Sequence, residues 1–256
     1  MPETTQENQN PMKKSTCTDT SLSKRRSNGL LFLALGLTAG AAIIYLATRK
    51  RDTRPTFDEL KDWEAELVKT RGKEEGERLA AQVQQRYEEL YESRPRYSNQ
   101  ALANHLEDNI LPGLALYQVL REDGCDQPAA LAEVDRLEEI TFRESGMNQA
   151  MQKIARLPNP FGIFRALQGL IGKMFPKEGW TFIWKENSDR VIAYDCTNCF
   201  YLNTLTQYGA PELTPTFCRL DDVMFENVPF IEWKRTKTLG RGDEVCDFRF
   251  EKKKGN

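Results

Sequence analysis

Apolar residues change their spacing twice along this chain, and those changes divide it. Leu30 to Thr48 is an uninterrupted apolar run without a charge, close to the ~20 residues that a helix needs to cross hydrocarbon. Beyond it the period is helical: Phe57, Leu60, Leu67, Leu79, Val83, Tyr87 and Leu90 recur at three- and four-residue steps from Pro55 to Tyr91. Gly72 and Gly76 weaken the middle of that stretch, which admits two helices, and Arg94-Pro95 stops it. Gln100 to Glu122 repeats the pattern, with a kink or split expected at Pro112-Gly113 and a cap at Gly124. Gln127 to Glu144 predicts a further helix with Leu131, Val134, Leu137 and Ile140 inward. Two short ones follow at Met151–Leu157 and Phe161–Met174.

From Gly179 the period shortens to two. Trp180–Lys185 and Val191–Asp195 alternate as strands around the turn Glu186-Asn187-Ser188-Asp189, a hairpin signature. Cys199–Tyr208 and Glu212–Phe225 return to helical spacing, and Phe230–Thr238 and Glu244–Glu251 alternate again. The fold class expected is α+β: a helical N-terminal half, then a small antiparallel sheet of hairpins with inserted helices, preceded by a transmembrane helix. The domains read as a disordered polar tail over 1–28, an anchor over 29–49, a helical region over 55–178 and a cysteine-containing α+β region over 179–252. The last two form one domain.

Charge sharpens the first of these readings. Lys24, Arg25 and Arg26 precede the apolar run and Arg49, Lys50 and Arg51 follow it, fixing its ends but not its direction, because the flanks match. A cleaved signal peptide is the rival. Its apolar region is shorter, however, and here Ile43 to Leu46 continues past the small residues at Thr38 to Ala42. The expected location is a membrane, single-pass, with the folded part facing the cytoplasm, since six cysteines are too sparse for a disulfide framework and no Asn-x-Ser/Thr acceptor occurs. A net charge of -2 argues against nucleic acid as a partner. The partners expected are the membrane, through Leu30–Thr48, and a small-molecule substrate.

The chain contains no phosphate-binding glycine loop, nucleophile elbow or dinucleotide fingerprint, and its single histidine, His105, excludes a multi-histidine metal centre. Chemistry is concentrated late, where Cys196, Cys199, Cys218 and Cys246 fall. Three uses fit these thiols: catalysis or substrate contact, a tetrahedral zinc site, and packing as small buried side chains.

The end of the chain carries a composite motif. It comprises Cys199-x-Tyr201, Gly209-Ala210-Pro211-Glu212-Leu213, Phe217-Cys218-Arg219-x-Asp221-Asp222, Trp233-Lys234-Arg235-Thr236-x-Thr238-Leu239, Gly242-Asp243 and Cys246-Asp247-Phe248-Arg249-Phe250. Across about Arg190 to Lys252, and more weakly back to Pro112-Gly113-Leu114-Ala115-Leu116-Tyr117, this resembles the L-2-amino-thiazoline-4-carboxylic acid hydrolase family. The resemblance implies hydrolytic opening of a sulfur-containing cyclic amidine to N-carbamoyl-cysteine. It names no obligatory cofactor and is compatible with a divalent metal, for which no ligand residues are assigned.

Such a reaction needs a nucleophile at the amidine carbon, a proton for the leaving group and a grip on the substrate carboxylate. Cys199, Cys218 and then Cys246 are the candidate thiols. Asp222 and Asp247 are candidates for proton exchange or water orientation, with His105 as a further catalytic candidate. Arg235 and Arg249 are placed to hold a carboxylate through paired hydrogen bonds, and Glu212 is a third substrate-binding candidate. Each also has a purely structural use: an exposed aspartate pair, a cross-strand arginine, a helix-start glutamate, a packed thiol. The alternative to a hydrolase is a non-catalytic small-ligand or metal-binding module tethered to a membrane. A third class is a scaffold using an exposed apolar stripe on Pro55–Tyr91.

Overall fold

A computed structural model describes residues 59–254. The expected polar tail and Leu30–Thr48 anchor, with Pro55, Phe57 and Cys17, lie outside the described residues. Among those described, no helix is long and apolar enough to cross a membrane.

Helices α1 (Leu60–Arg71) and α2 (Lys73–Ser93) form a hairpin broken at Gly72, whose φ of 86° is a left-handed value open to glycine. Gly76 lets α2 lie directly on the α1 backbone, because a Cβ there would collide with Val68. Trp63, Leu67, Leu79, Val83, Tyr87 and Leu90 all turn into the core. The described part of this stretch therefore turns its apolar stripe inward.

The Gln100–Glu122 segment departs from the expected kink at Pro112. It runs as α3 (Gln100–Asn104), one π-helical stretch at His105–Ile110, and α4 (Leu111–Glu122). The Leu111 amide reaches back five residues to Leu106 O, so proline, which lacks an N–H, enters in the first turn of a new helix instead of bending an old one. Helix α5 (Gln127–Glu144) starts where Asp126 Oδ1 accepts the Ala129 amide at 2.8 Å. Its buried stripe is Ala130, Val134, Leu137 and Thr141, rotated from the predicted one. Helices α6 (Gly146–Ile154), α7 (Pro160–Gln168) and α8 (Ile171–Met174) complete the helical part.

Strands β1 (Thr181–Asn187), β2 (Val191–Asn198), β3 (Ile231–Lys234) and β4 (Cys246–Lys252) form one antiparallel sheet in the order β1-β2-β4-β3. Helices α9 (Phe200–Gln207) and α10 (Thr214–Phe225) are inserted between β2 and β3. The expected strand Phe230–Thr238 stops at Lys234 for a specific reason. Asp247 accepts the Thr236 and Lys237 amides at 2.8 and 2.6 Å, drawing the backbone out of the ladder.

One face of the sheet is apolar and meets two cores. Ile192, Tyr194, Phe230 and Phe250 join Phe161, Phe164 and Phe225 in one. Cys196 and Cys246 join Phe200, Phe217 and the inward residues of α2, α4 and α5 in the other.

Candidate functional site

The register opposes Cys196 directly to Cys246 across β2 and β4. These two thiols are buried, while Cys199, immediately before α9, and Cys218, on α10, are half-buried. Each sulfur has its own surroundings. Cys196 Sγ donates to Asn198 O at 3.1 Å, and Cys246 Sγ accepts the Leu239 amide at 3.2 Å. Gly240 is pressed against Cys218, for a Cβ there would lie 3.0 Å from its Sγ. Among the described residues, no group of three or more His, Cys, Asp or Glu side chains is arranged to hold a metal ion. The four-cysteine zinc reading is corrected accordingly.

Burial dominates the ionisation of these thiols. It pushes Cys199 up to about 11, despite the opposing amides of Leu202 and Tyr201. It pushes Cys218 up to about 12, with Asp221 adding to the effect, and Cys246 up to about 11. Cys196 is raised further still, again by burial first. All four are neutral thiols near pH 7.

Beside them Arg235, with a side chain 2% exposed, pairs with two neighbouring carboxylates on α10. Nη1 reaches Asp221 Oδ2 at 2.8 Å and Nη2 reaches Asp222 Oδ2 at 2.9 Å. Nη2 also donates to Cys218 O at 2.7 Å. The guanidinium carbon lies 5.4 Å from the Trp233 ring and 5.6 Å from that of Phe248. Trp233 Nε1 donates to Asp222 Oδ1 at 2.9 Å, so Asp222 is engaged through both oxygens. Both carboxylates keep a solvent-facing side, the side chains being 38% exposed for Asp221 and 39% for Asp222. Loss of hydration, opposed by Arg235 and assisted by Asp222, pushes Asp221 up to about 6.

His105 stands on the π-helical stretch, one helical layer away. Its Nε2 is 2.9 Å from Met174 O and its Nδ1 is 3.0 Å from Tyr201 Oη. A carbonyl can only accept, so Nε2 carries the proton and Nδ1 accepts from the tyrosine. Packed 4.8 Å from the Trp180 ring and 5.2 Å from that of Phe175, the imidazole is pushed down to about 4 by burial and stays neutral. Tyr201, raised well above its ordinary value by burial, also feels Cys199, Asp221 and Glu138. Its ring is 5.1 Å from Phe217.

The remaining sequence candidates fall elsewhere. Strand alternation places Asp247 and Arg249 on the sheet face opposite Cys246. Asp247 holds the Thr236–Lys237 turn and also accepts Thr236 Oγ1 at 2.6 Å. Burial raises its carboxyl, but the Thr236 and Lys237 hydrogen bonds together leave it below its ordinary value. Arg249 pairs with Glu251 at 2.6 Å. Glu212 accepts Tyr117 Oη at 2.6 Å and Gln127 Nε2 at 3.0 Å, tying α4 and α5 to the Pro211–Leu213 turn. Thus Cys199, Cys218, Cys246, Asp222 and Arg235 come together around Asp221, with His105 reached through Tyr201. Asp247, Arg249 and Glu212 do not join them. Asp221, beside the candidate Asp222, and Tyr201, from the Cys199-x-Tyr201 motif, join them without being sequence candidates themselves.

No curated protein matches the chain. Among solved structures, the crystal structure of Fe(II) unliganded H-NOX protein from K. algicida is similar at 13% identity. That alignment covers 77% of this chain and 96% of that one, with a TM-score of 0.35. The family described as L-2-amino-thiazoline-4-carboxylic acid hydrolase matches residues 103–250, a span from α3 to β4 that contains every group converging on Asp221. The chain belongs to the L-2-amino-thiazoline-4-carboxylic acid hydrolase family.

Proposed function

We propose that this protein is a membrane-held hydrolase that opens a small cyclic amidine of the 2-aminothiazoline type. The observation that carries the reading is the Asp221 carboxyl, oriented by Arg235 and surrounded by Cys199, Cys218 and Cys246 within the segment that matches the family. In the overall reaction, water oxygen bonds to the amidine carbon and the ring carbon–sulfur bond breaks. Sulfur leaves as a thiol carrying one of the water protons, the ring nitrogen gains the other, and the carbamoyl group remains on that nitrogen.

Asp221, pushed up to about 6, is mainly ionised at pH 7 yet basic enough to accept a proton from water. The thiols do not match that role at neutral pH, because burial keeps them protonated. Arg235 spends its donors on Asp221, Asp222 and Cys218 O, so its task is to hold the base and not the substrate carboxylate. A second form of the reading has Cys218 attack the amidine carbon, its proton passing through Asp221 to the ring sulfur as the ring carbon–sulfur bond breaks. Water then cleaves the new bond to Cys218, which leaves as a thiol, and the carbamoyl group stays on the substrate nitrogen.

The test is hydrolysis of L-2-amino-thiazoline-4-carboxylate by the full chain in detergent, following free thiol, with and without chelator. Turnover lost in Asp221→Asn but kept in Cys199→Ser and Cys218→Ser supports water attack, whereas loss in Cys218→Ser supports the covalent form. A folded wild type without turnover sinks the substrate assignment and leaves the tethered ligand-binding module. The Leu30–Thr48 run supports attachment to a bilayer, with the folded part on the cytoplasmic side. Resistance to alkaline carbonate extraction, lost when 29–49 are deleted, is the expected outcome. Protease protection of residues 59–254 in sealed cells checks the side.

A further inference from the structure

We propose that helices α6 to α8, with Trp184 at their rim, form a surface that docks on anionic lipid headgroups, an inference that rests on the membrane reading above. From Ser145 to Lys177 the chain has five Lys or Arg and no acidic residue, so all 38 Asp and Glu lie outside this stretch. Asp189, in the β1–β2 turn, pairs with Arg165. Lys153, Arg156, Lys173 and Lys177 are exposed and have no ion-pair partner among the described residues.

Burial turns this stretch into one amphipathic layer. Met151 and Ile154 of α6 and Phe161 and Phe164 of α7 pack into the core whose other wall is the sheet, through Ile192, Tyr194 and Phe250. Ile163 and Leu167 of α7 and Ile171 and Met174 of α8 are only half-buried against that core. Apolar side chains thus stay partly open to solvent among unpaired cations, the make-up of a helix that lies in a headgroup layer.

The sheet edge extends the layer. Ile183 and Trp184, 48% and 42% exposed, are the exposed large hydrophobics among the described residues. Both stand on β1, which has a partner strand on one side only. Trp184 pairs in register with Tyr194, their rings 4.9 Å apart, on the sheet face that the helices cover. Phe175, just after α8, is 6.4 Å from Phe182 of β1, and the Arg165–Asp189 pair closes α7 on the hairpin tip. A tryptophan beside cations suits the boundary between water and hydrocarbon, where ring and N–H find separate environments.

Two observations select lipid as the occupant. The surface is cationic although the chain has a net charge of -2, and the cytoplasmic leaflet is anionic. Residues 49 to 58 alone join the apolar run to Glu59, the first described residue, and ten residues hold that point within about 35 Å of the bilayer. Arg49, Lys50 and Arg51 add to the same attraction.

The experiment places the full chain in nanodiscs of dibrominated phosphatidylcholine, with and without phosphatidylserine, and reads the quenching of tryptophan fluorescence. Trp184 is isolated as the difference between wild type and Trp184→Phe. Its quenching is expected on anionic discs, far less on neutral ones, and is reversed by high salt. Combining Lys153→Gln, Arg156→Gln, Lys173→Gln and Lys177→Gln should weaken docking by ~10²–10³-fold, since each cation near an anionic surface contributes about fivefold. If circular dichroism shows that this variant does not fold, the salt dependence of the wild type decides. Equal quenching on neutral and anionic discs, or none on either, overturns the inference and leaves the anchor intact. Shielding of Trp184 from acrylamide in detergent that grows with protein concentration assigns the surface to a second copy and overturns it as well. A chain that does not enter the discs removes the membrane reading and the inference together.

Discussion

Strands β2 and β4 run side by side through six register pairs, yet their two ends do different work. At the Ile192–Phe250 end, Phe250 is surrounded by rings at 4.8 Å (Trp233), 4.9 Å (Phe225) and 5.1 Å (Phe164). At the Cys196–Cys246 end, ~13 Å along the same strands, the neighbours are thiols, Asp221 and the Arg235 guanidinium. Aromatic burial stabilises without requiring partners. Recessed carboxyls weaken the fold unless something compensates them. The molecule concentrates its unconditional packing at one end of a sheet face and leaves proton chemistry to the other.

Substitutions at each end should therefore separate activity from stability. The largest effect expected is on turnover. Asp221→Asn should lower kcat by ~10²–10⁴-fold while leaving the thermal midpoint at pH 7 unchanged or higher, because the amide carries no charge to desolvate. Steady-state kinetics and calorimetry on one preparation check both halves, and a large loss of stability would erase the distinction between the ends. At the aromatic end, Phe250→Ala should remove ~3–5 kcal/mol of stability, read from chemical denaturation, with turnover per folded molecule retained.

Much of this division was legible in the sequence. The helix Gln127–Glu144 was legible from its periodicity, and the hairpin at Trp180–Asp195 from its alternation and polar turn. The α5 stripe was misjudged because Leu131 and Ile140 looked inward by composition, whereas packing selects Ala130 and Thr141. That rotation presses Glu138 against the Gly113 backbone. Asp222 and Asp221 are adjacent and chemically identical. The contact of Trp233 with Asp222 helps to distinguish them, and it joins residues eleven apart on separate elements. The π-helical stretch was invisible for a similar reason. Proline predicts that a hydrogen bond is lost, but not which neighbouring turn widens to absorb the loss.

Two smaller effects sharpen the comparison. Gly113→Ala should cost ~1–3 kcal/mol through overpacking, since the new methyl meets Glu138 and Phe217. A denaturation midpoint unchanged from wild type would show that the gap is slack. The smallest effect concerns pH. The folded Asp221 is raised to about 6 from an ordinary 3.8, so its stabilising contribution is complete below pH 3.8 and lost as pH rises through about 6. The thermal midpoint of Asp221→Asn relative to wild type should consequently increase between pH 4 and 7, and a flat difference would mean that Asp221 is as well solvated folded as unfolded.

The strand order β1-β2-β4-β3 also governs when the cluster comes into being. The β1–β2 hairpin closes over a few residues and can form early, but Cys196 meets Cys246 only after the forty-nine residues between them, including α9 and α10, have been gathered. Pairing across such a loop is slow, because ordering precedes the contacts that reward it. The thiols and Asp221 therefore converge in a late event of refolding, and a chain whose helices are formed but whose β2–β4 seam is open would look substantially native by circular dichroism while having no assembled centre.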